Sequence, residues 1–204
     1  ESGVESIDSM NPEIIEAVAQ KDIDLIARGY MDKVKYRFGD EQMFIDKLPW
    51  NVLYLGFIAK AWPNAKIINL KRNPMDSCFS MYKQVFTWAY KFSYSLDGLG
   101  QYFVAYDRLC KHWRELLKDR LIEVEYELLV TDQENQTRIL LDRLGLEFEQ
   151  GCVDFEKNKA PIATASSVQA REKIYNKSVN KWMRFEAQLQ PLKEHLEKAG
   201  INIG

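Results

Sequence analysis

The residues of this chain that are best suited to chemistry are Arg72 and Ser80. A predicted turn and the first part of a predicted helix lie between them. The mostly apolar run 66–70 predicts a strand that ends just before Arg72, and an Asn-Pro pair then predicts a turn into a helix over about 74–85. Because the first N–H groups of a helix have no partner within it, this arrangement gathers a guanidinium, a hydroxyl and backbone donors near one point. Such a set of donors binds a phosphate group.

The elements that must position these residues alternate between helices and strands. Asn11 and Asp97 are expected to cap two of the helices, and Gly145 is expected to end a third. This alternation predicts an α/β fold whose parallel sheet is flanked by helices on both faces. We expect strands at 43–45, 66–70 and 121–125, helices at about 11–20, 22–35, 51–61, 74–85, 97–117 and 132–144, a long ordered loop at 157–179, and a closing helix that includes 193–199.

Three polar residues directly follow the three predicted strands. They are Lys47, Arg72 and Tyr126. In parallel sheets, ligands bind beyond the carboxyl ends of the strands. The sequence therefore predicts that these three side chains belong to one site at one edge of the sheet.

Composition excludes several classes of protein. The 204 residues suit one domain, and 28 lysines and arginines nearly balance 30 acidic residues, which disfavours a general nucleic-acid binder. Three cysteines without a CxxC pair disfavour a zinc site and a disulfide framework, and they favour a reducing compartment. No apolar run in the sequence approaches the roughly 18–20 residues of a membrane span. The sequence does not indicate an oligomeric state.

Four sequence blocks occur in an order and at spacings that are familiar from one family. The chain resembles sulfotransferases that use 3′-phosphoadenosine 5′-phosphosulfate (PAPS), and most closely the bacterial enzymes associated with tetratricopeptide repeats and the tyrosylprotein sulfotransferases. The resemblance implies a P-loop-like fold, PAPS as co-substrate, 3′-phosphoadenosine 5′-phosphate (PAP) as product, and no metal. The blocks span 46–68, 72–80, 124–130 and 164–182.

The resemblance also implies a role for individual residues. Lys47 would stabilise the sulfuryl group and the oxygen that bridges it to the leaving phosphate. Arg72 and Ser80 would bind the 3′-phosphate, which is the group that distinguishes PAPS from ATP. Tyr126 would contact the adenine side of the donor.

The resemblance implies further roles for residues of the last block, which would contact the donor, and for the first residue of the chain. Ser167 and Lys181 lie where the tyrosylprotein enzymes contact the donor, and Ser166 is an alternative to Ser167. The family's first strand and its phosphosulfate-binding loop are absent from the sequence, so we expect 1–204 to be one sulfotransferase domain without its N-terminal part. Glu1 is then the candidate general base, and the chain alone is expected to transfer sulfate poorly.

Two other functions stay open at this point. One is a degenerate domain that binds a nucleotide or a protein partner, and the other is a fragment of a P-loop kinase. The leading hypothesis leaves several hydroxyl acceptors open: peptide tyrosine, a sugar, a lipid or a small metabolite. The protein would be cytoplasmic in a bacterium, or would lie in the Golgi lumen if it were a eukaryotic enzyme of the tyrosylprotein type. Four aromatic residues either line an acceptor cleft or pack together, namely Phe86, Trp88, Tyr90 and Phe92.

Overall fold

The computed structural model describes residues 12–38, 43–86, 90–157 and 173–204. The chain divides into two compact units. The first comprises the described residues up to Ala65 together with Glu115–Leu117, and the second comprises Lys66–Arg114 and Lys118–Gly204. The strands predicted at 66–70 and 121–125 both belong to the second unit.

Helices build the first unit, as the sequence predicted. Helix α1 spans Pro12–Ala19 and helix α2 spans Ile23–Phe38. A 3-10 turn over Pro49–Tyr54 continues into helix α3, Leu55–Ala61, so the single helix predicted at 51–61 begins as a tighter turn. Asn11, the predicted cap of α1, lies outside the described residues.

One carboxylate fixes the segment that contains Lys47. The Tyr30 hydroxyl of α2 donates to Asp46 Oδ2 at 2.5 Å, and Asn51 Nδ2 donates to Asp46 Oδ1 at 2.9 Å. Burial and the bond to Asp46 raise the pKa of Tyr30 to about 12. The Tyr30 ring also meets the Trp62 ring edge to face, with the centroids 5.1 Å apart. Lys47 follows this anchored carboxylate and is itself exposed.

The strand predicted at 43–45 is wrong. The structure shows no regular secondary structure over 43–48, and the side chains of Met43 and Ile45 are 61% and 87% exposed. A strand needs a neighbour that pairs with its backbone groups. Within the described ranges, the two strands of the second unit pair only with each other, so this apolar run has no such neighbour. Lys47 therefore does not follow a strand.

The second unit contains the parallel sheet. Strand β1 spans Ile67–Lys71 and strand β2 spans Leu121–Glu125, and their register runs from Ile67 opposite Leu121 to Lys71 opposite Glu125. Strand β2 has its predicted bounds, and β1 is displaced from its predicted bounds by one residue. The prediction of an α/β fold with a parallel sheet and flanking helices is confirmed.

Helices α4 to α8 complete the second unit, except that the last three residues of α5, Glu115–Leu117, belong to the first. Ser95, not Asp97, caps α5, because its side chain accepts the Gly98 N–H at 3.0 Å. Gly145 ends α7 as predicted, in the left-handed region at φ +73° that glycine adopts without strain. Helix α6, which directly follows β2, was not predicted. The bounds are α4 Pro74–Tyr82, α5 Leu96–Leu117, α6 Tyr126–Thr131, α7 Gln133–Leu144 and α8 Glu186–Lys198.

The core of the second unit lies where α4, α5 and α8 meet. Helix α5 approaches α8 so closely at Gly100 that an added Cβ would lie 2.8 Å from the His195 ring. No helix of the described ranges has the length and apolar character needed to cross a membrane. The buried cluster comprises Met75, Cys78, Phe79, Leu99, Phe103, Trp182, Leu189, Leu192, Leu196, Ile201 and Ile203.

Burial in this unit should control the reactivity of the cysteines. Cys78 and Cys110 are buried and Cys152 is exposed, and none forms a disulfide. Burial raises the pKa of the Cys78 thiol to about 12 and also raises the pKa of Cys110. We expect a thiol reagent at pH 8 to modify one cysteine in the native protein and three in urea. A Cys152→Ser variant should lose the native reaction, whereas rapid native labelling of this variant would contradict the described packing.

Candidate functional site

Two of the three predicted polar residues meet at one edge of the sheet. Lys71 and Glu125 are paired at the carboxyl ends of the strands, so the residues that follow them, Arg72 and Tyr126, are neighbours. The Arg72 Cζ atom lies 4.8 Å from the centroid of the Tyr126 ring, which is a cation–π distance. The sheet therefore places a guanidinium against an aromatic ring where α/β proteins bind ligands.

The turn after Arg72 is fixed by the side chain and backbone of Asn73. Asn73 Oδ1 accepts the Asp76 N–H at 3.1 Å and so caps α4, which Pro74 begins. Asn73 Nδ2 donates to the Ile203 carbonyl at 2.6 Å, and the Asn73 N–H donates to Glu127 Oε1 at 2.8 Å. Glu127 thus has a structural role, because it holds the backbone of this turn.

A buried carboxylate attaches a distant loop to this turn. Asp76 is 1% exposed, and its oxygens accept the Asn180 N–H at 2.6 Å and the Trp182 N–H at 3.0 Å. Trp182 itself is 3% exposed and belongs to the core. Arg72 Nη2 donates to the Ser178 carbonyl at 2.8 Å. These bonds hold the segment that contains Lys181 beside the start of α4.

The residues brought together in this way line a cavity of about 710 Å³. Four of the predicted site residues are among them: Arg72, Ser80, Tyr126 and Lys181. Among the described residues that line it, five side chains are cationic and one is a carboxylate. The described lining residues are Arg72, Asp76, Phe79, Ser80, Lys83, Tyr126, Lys173, Tyr175, Lys177, Ser178 and Lys181.

The five cations that line this cavity form no ion pair within the described part of the chain. The ion pairs of that part involve His195 and eight other lysines and arginines, such as Arg114 with Glu123 at 2.7 Å. The Nε of Arg72 is buried and has no hydrogen-bond partner among the described residues. Asp76, the one carboxylate among the described lining residues, already accepts two backbone N–H groups. The cavity therefore suits an anion with more than one negative group.

The pKa of Lys83 also indicates that this cavity is positively charged. Its pKa is lowered, first by burial and then by the neighbouring charges of Lys181 and Arg72, while Asp76 opposes the shift. A lysine is destabilised in its charged form when like charges lie near it. Three cations of the cavity therefore lie close enough to influence one another.

Not all the predicted residues are among those that line this cavity. Lys47 belongs to the first unit, in the exposed segment after Asp46. Glu1, Ser166 and Ser167 lie outside the described residues. The part of the chain that the structure describes contains no group of three or more metal-ligating side chains.

Sequence reasoning missed three lysines of the site. Lys83 lies three residues after Ser80, so helical spacing from the predicted phosphate residue is the signal for it. Lys173 and Lys177 belong to the segment that was predicted to be a polar loop, where no periodicity indicates which side chains face a ligand.

The aromatic residues proposed for an acceptor cleft pack against one another. The ring centroids of Phe86 and Tyr90 lie 4.8 Å apart, and Phe92 stacks on Tyr102 at 3.8 Å. None of these rings lines the cationic cavity. Trp88 lies outside the described residues. The arrangement favours the second of the two alternatives, a packed aromatic cluster.

Comparison with known proteins gives the family of this chain. A model of the sulfotransferase family matches residues 1–150, which include Lys47, Arg72, Ser80 and Tyr126. The chain belongs to the sulfotransferase family. Its α/β arrangement is consistent with the P-loop-like fold of that family.

One relative is similar along nearly the whole chain. An uncharacterized protein of Aquifex aeolicus (strain VF5) is 34% identical over 190 residues, which are 92% of this chain and 25% of the relative. The chain thus spans about a quarter of the length of that relative.

Proposed function

We propose that this chain forms a sulfotransferase domain that transfers the sulfuryl group of PAPS to a hydroxyl acceptor and releases PAP. The observation that carries the proposal is the cavity at the sheet edge, where four residues with donor-binding roles implied by the family resemblance meet cations that have no partner carboxylate. Family membership supports the reaction type, and the cavity supports an anionic nucleotide as the donor.

The charge and size of the cavity fit a nucleotide with two separate phosphate groups. Each phosphomonoester carries about −1.5 to −2 charges at neutral pH, so PAP needs several cations. A volume of about 710 Å³ is in the range of small-molecule sites. In the proposed complex, Arg72 and Ser80 bind the 3′-phosphate, the Tyr126 ring contacts the adenine side, and Lys181 adds a further donor contact.

The proposed chemistry needs positioned charges and one base. The acceptor oxygen forms a bond to sulfur while the bond from sulfur to the bridging phosphate oxygen breaks, and a carboxylate takes the acceptor proton. Lys47 stabilises the negative charge that develops on the bridging oxygen. Glu1 is the proposed base, and Ser167, or Ser166 in its place, is a proposed donor contact. The reaction as proposed needs no metal, since Lys47 supplies the positive charge.

A kinetic comparison tests the role of Lys47. In the full-length protein, Lys47→Ala should lower kcat by about 100-fold or more, because the lost charge acts mainly on the developing bridging oxygen. The affinity for PAPS should change by less than about threefold. Transfer of ³⁵S from labelled PAPS to tyrosine peptides, sugars and small hydroxyl compounds measures turnover and also screens the proposed acceptors.

Lys60→Ala is the matched control, because Lys60 is an exposed lysine of α3 in the same unit. This variant should retain the wild-type rate. An equal loss of kcat and donor affinity in Lys47→Ala would show that Lys47 only binds the donor. No transfer to any acceptor by the wild-type protein would favour a degenerate domain that binds a nucleotide or a protein partner.

The proposed location is the cytoplasm. All three cysteines are free thiols, and two of them are buried in places where oxidation would disturb the packing. Free thiols are typical of reducing compartments. This supports the cytoplasm over the Golgi lumen, the other location expected from the sequence.

A further inference from the structure

We propose that Lys83 is a third donor to the phosphate that Arg72 and Ser80 bind, and that it sets the preference of the cavity for nucleotides with a 3′-phosphate. This inference rests on the proposed function, because it assigns one more residue of the same cavity to the 3′-phosphate of PAPS.

The helix geometry places Lys83 beside Ser80. Lys83 is the C-cap residue of α4 and lies three residues after Ser80, and residues at this spacing are neighbours on a helix surface. Asp76, Ser80 and Lys83 follow the spacing of one helical face, and all three line the cavity. Other positions of α4, such as Met75 and Cys78, are fully buried in the core. One rigid helix therefore presents both the hydroxyl and the ammonium to the ligand.

An aromatic ring supports the Lys83 ammonium without neutralising it. The Nζ atom lies 4.2 Å from the centroid of the Phe79 ring, and Phe79 is 6% exposed and packs on Phe185 at 4.9 Å. A ring face attracts the cation but offers no oxygen acceptor. No hydrogen bond or ion pair of this ammonium occurs within the described ranges.

The charges around Lys83 indicate that an anion belongs next to it. Lys181 and Arg72 are near enough to lower its pKa, after burial, which has the larger effect. The carboxylate that opposes this shift, Asp76, already accepts the N–H groups of Asn180 and Trp182. All three cations line the same cavity, so a phosphate bound there would reduce their mutual repulsion.

Lys83 differs from Lys173 and Lys177, the other two lysines that were not predicted, because it belongs to helix α4. Lys173 and Lys177 lie in residues 173–180, which contain no helix or strand. This segment precedes the 3-10 turn Lys181–Phe185. Lys83 shares its helix with Ser80, and the same helix begins directly after the turn that contains Arg72. Its position relative to both predicted phosphate residues is therefore set by the fold.

The test compares PAP with AMP, which lacks only the 3′-phosphate. Calorimetry should show that Lys83→Met weakens PAP binding by about 10- to 100-fold, the range for a hydrogen bond to a charged group. AMP binding, measured by displacement of PAP, should change by less than about twofold, since AMP has no group for Lys83 to bind. Lys83→Arg keeps the charge and should stay within about threefold of wild type for PAP.

Lys198→Met is the matched control, because this lysine of α8 is 78% exposed in its side chain and does not line the cavity. It should leave both affinities unchanged. Unchanged PAP binding in Lys83→Met, with normal binding in wild type, would overturn the role of Lys83 and leave the proposed function standing. An equal loss for PAP and AMP would overturn its assignment to the 3′-phosphate. Absence of PAP binding in the wild-type protein would overturn the proposed function together with this inference.

Discussion

Replacing Arg72 with alanine should weaken PAP binding by about 2–5 kcal/mol, on the order of 30- to several-thousand-fold. Arg72 combines a buried Nε that has no partner among the described residues with a place at the carboxyl edge of the sheet. Its guanidinium can contact a phosphate through two parallel hydrogen bonds. Calorimetric titration with PAP measures the loss.

Two further variants show whether this loss is specific. Arg72→Lys keeps the charge without the planar fork, so its PAP affinity should lie between those of wild type and Arg72→Ala. Arg138→Ala is the matched control, because Arg138 also contacts a ring, that of Phe148 at 3.5 Å, but does not line the cavity. Wild-type PAP affinity in Arg72→Ala would contradict the assignment of the phosphate site.

Replacing Asp76 with alanine should cause the largest loss of stability, about 2–5 kcal/mol. The Asp76 carboxylate is 1% exposed and accepts two backbone N–H groups of a loop more than a hundred positions away, at Asn180 and Trp182. Alanine leaves both donors without their acceptor, and the Trp182 N–H is buried. Urea unfolding measures the change in the free energy of unfolding.

A partly exposed carboxylate, Asp154, provides the control for this second prediction. Asp154 forms a surface ion pair with Lys157 at 2.6 Å, so Asp154→Ala should cost less than about 1 kcal/mol. Asp76→Ala should also weaken PAP binding, because the same loop contains Ser178 and Lys181. If the two variants unfold at the same urea concentration, the loop attachment does not contribute to stability as described.

Local sequence signals predicted the part of the site that depends on neighbouring residues. The apolar runs that become β1 and β2, the Asn-Pro turn and the glycine after α7 each specify one backbone conformation through adjacent residues. Because parallel strands place their carboxyl ends together, the meeting of Arg72 and Tyr126 followed from the strand predictions alone.

Features that depend on distant residues were not predictable in this way. The run 43–45 has the composition of a strand, but no neighbouring strand pairs with it in the described structure. The attachment of Asn180 and Trp182 to Asp76 joins residues that are far apart in sequence. Helix α6 begins directly after β2. Apolar residues continue from the strand into the helix, so the sequence does not show clearly where the two-residue period of a strand changes to the 3.6-residue period of a helix. Lys47 was expected at the sheet edge because a strand was expected before it.

Calorimetric titration of the wild-type protein with PAP and with ADP shows whether the cavity recognises a 3′-phosphate. Both nucleotides are highly charged, but only PAP has the 3′-phosphate that the cavity is proposed to bind. We expect PAP to bind at least about tenfold more tightly than ADP, since one additional charged contact contributes about 1.4 kcal/mol or more. Equal affinities, or tighter binding of ADP, would contradict the sulfotransferase donor site and favour a P-loop kinase or a degenerate nucleotide-binding domain.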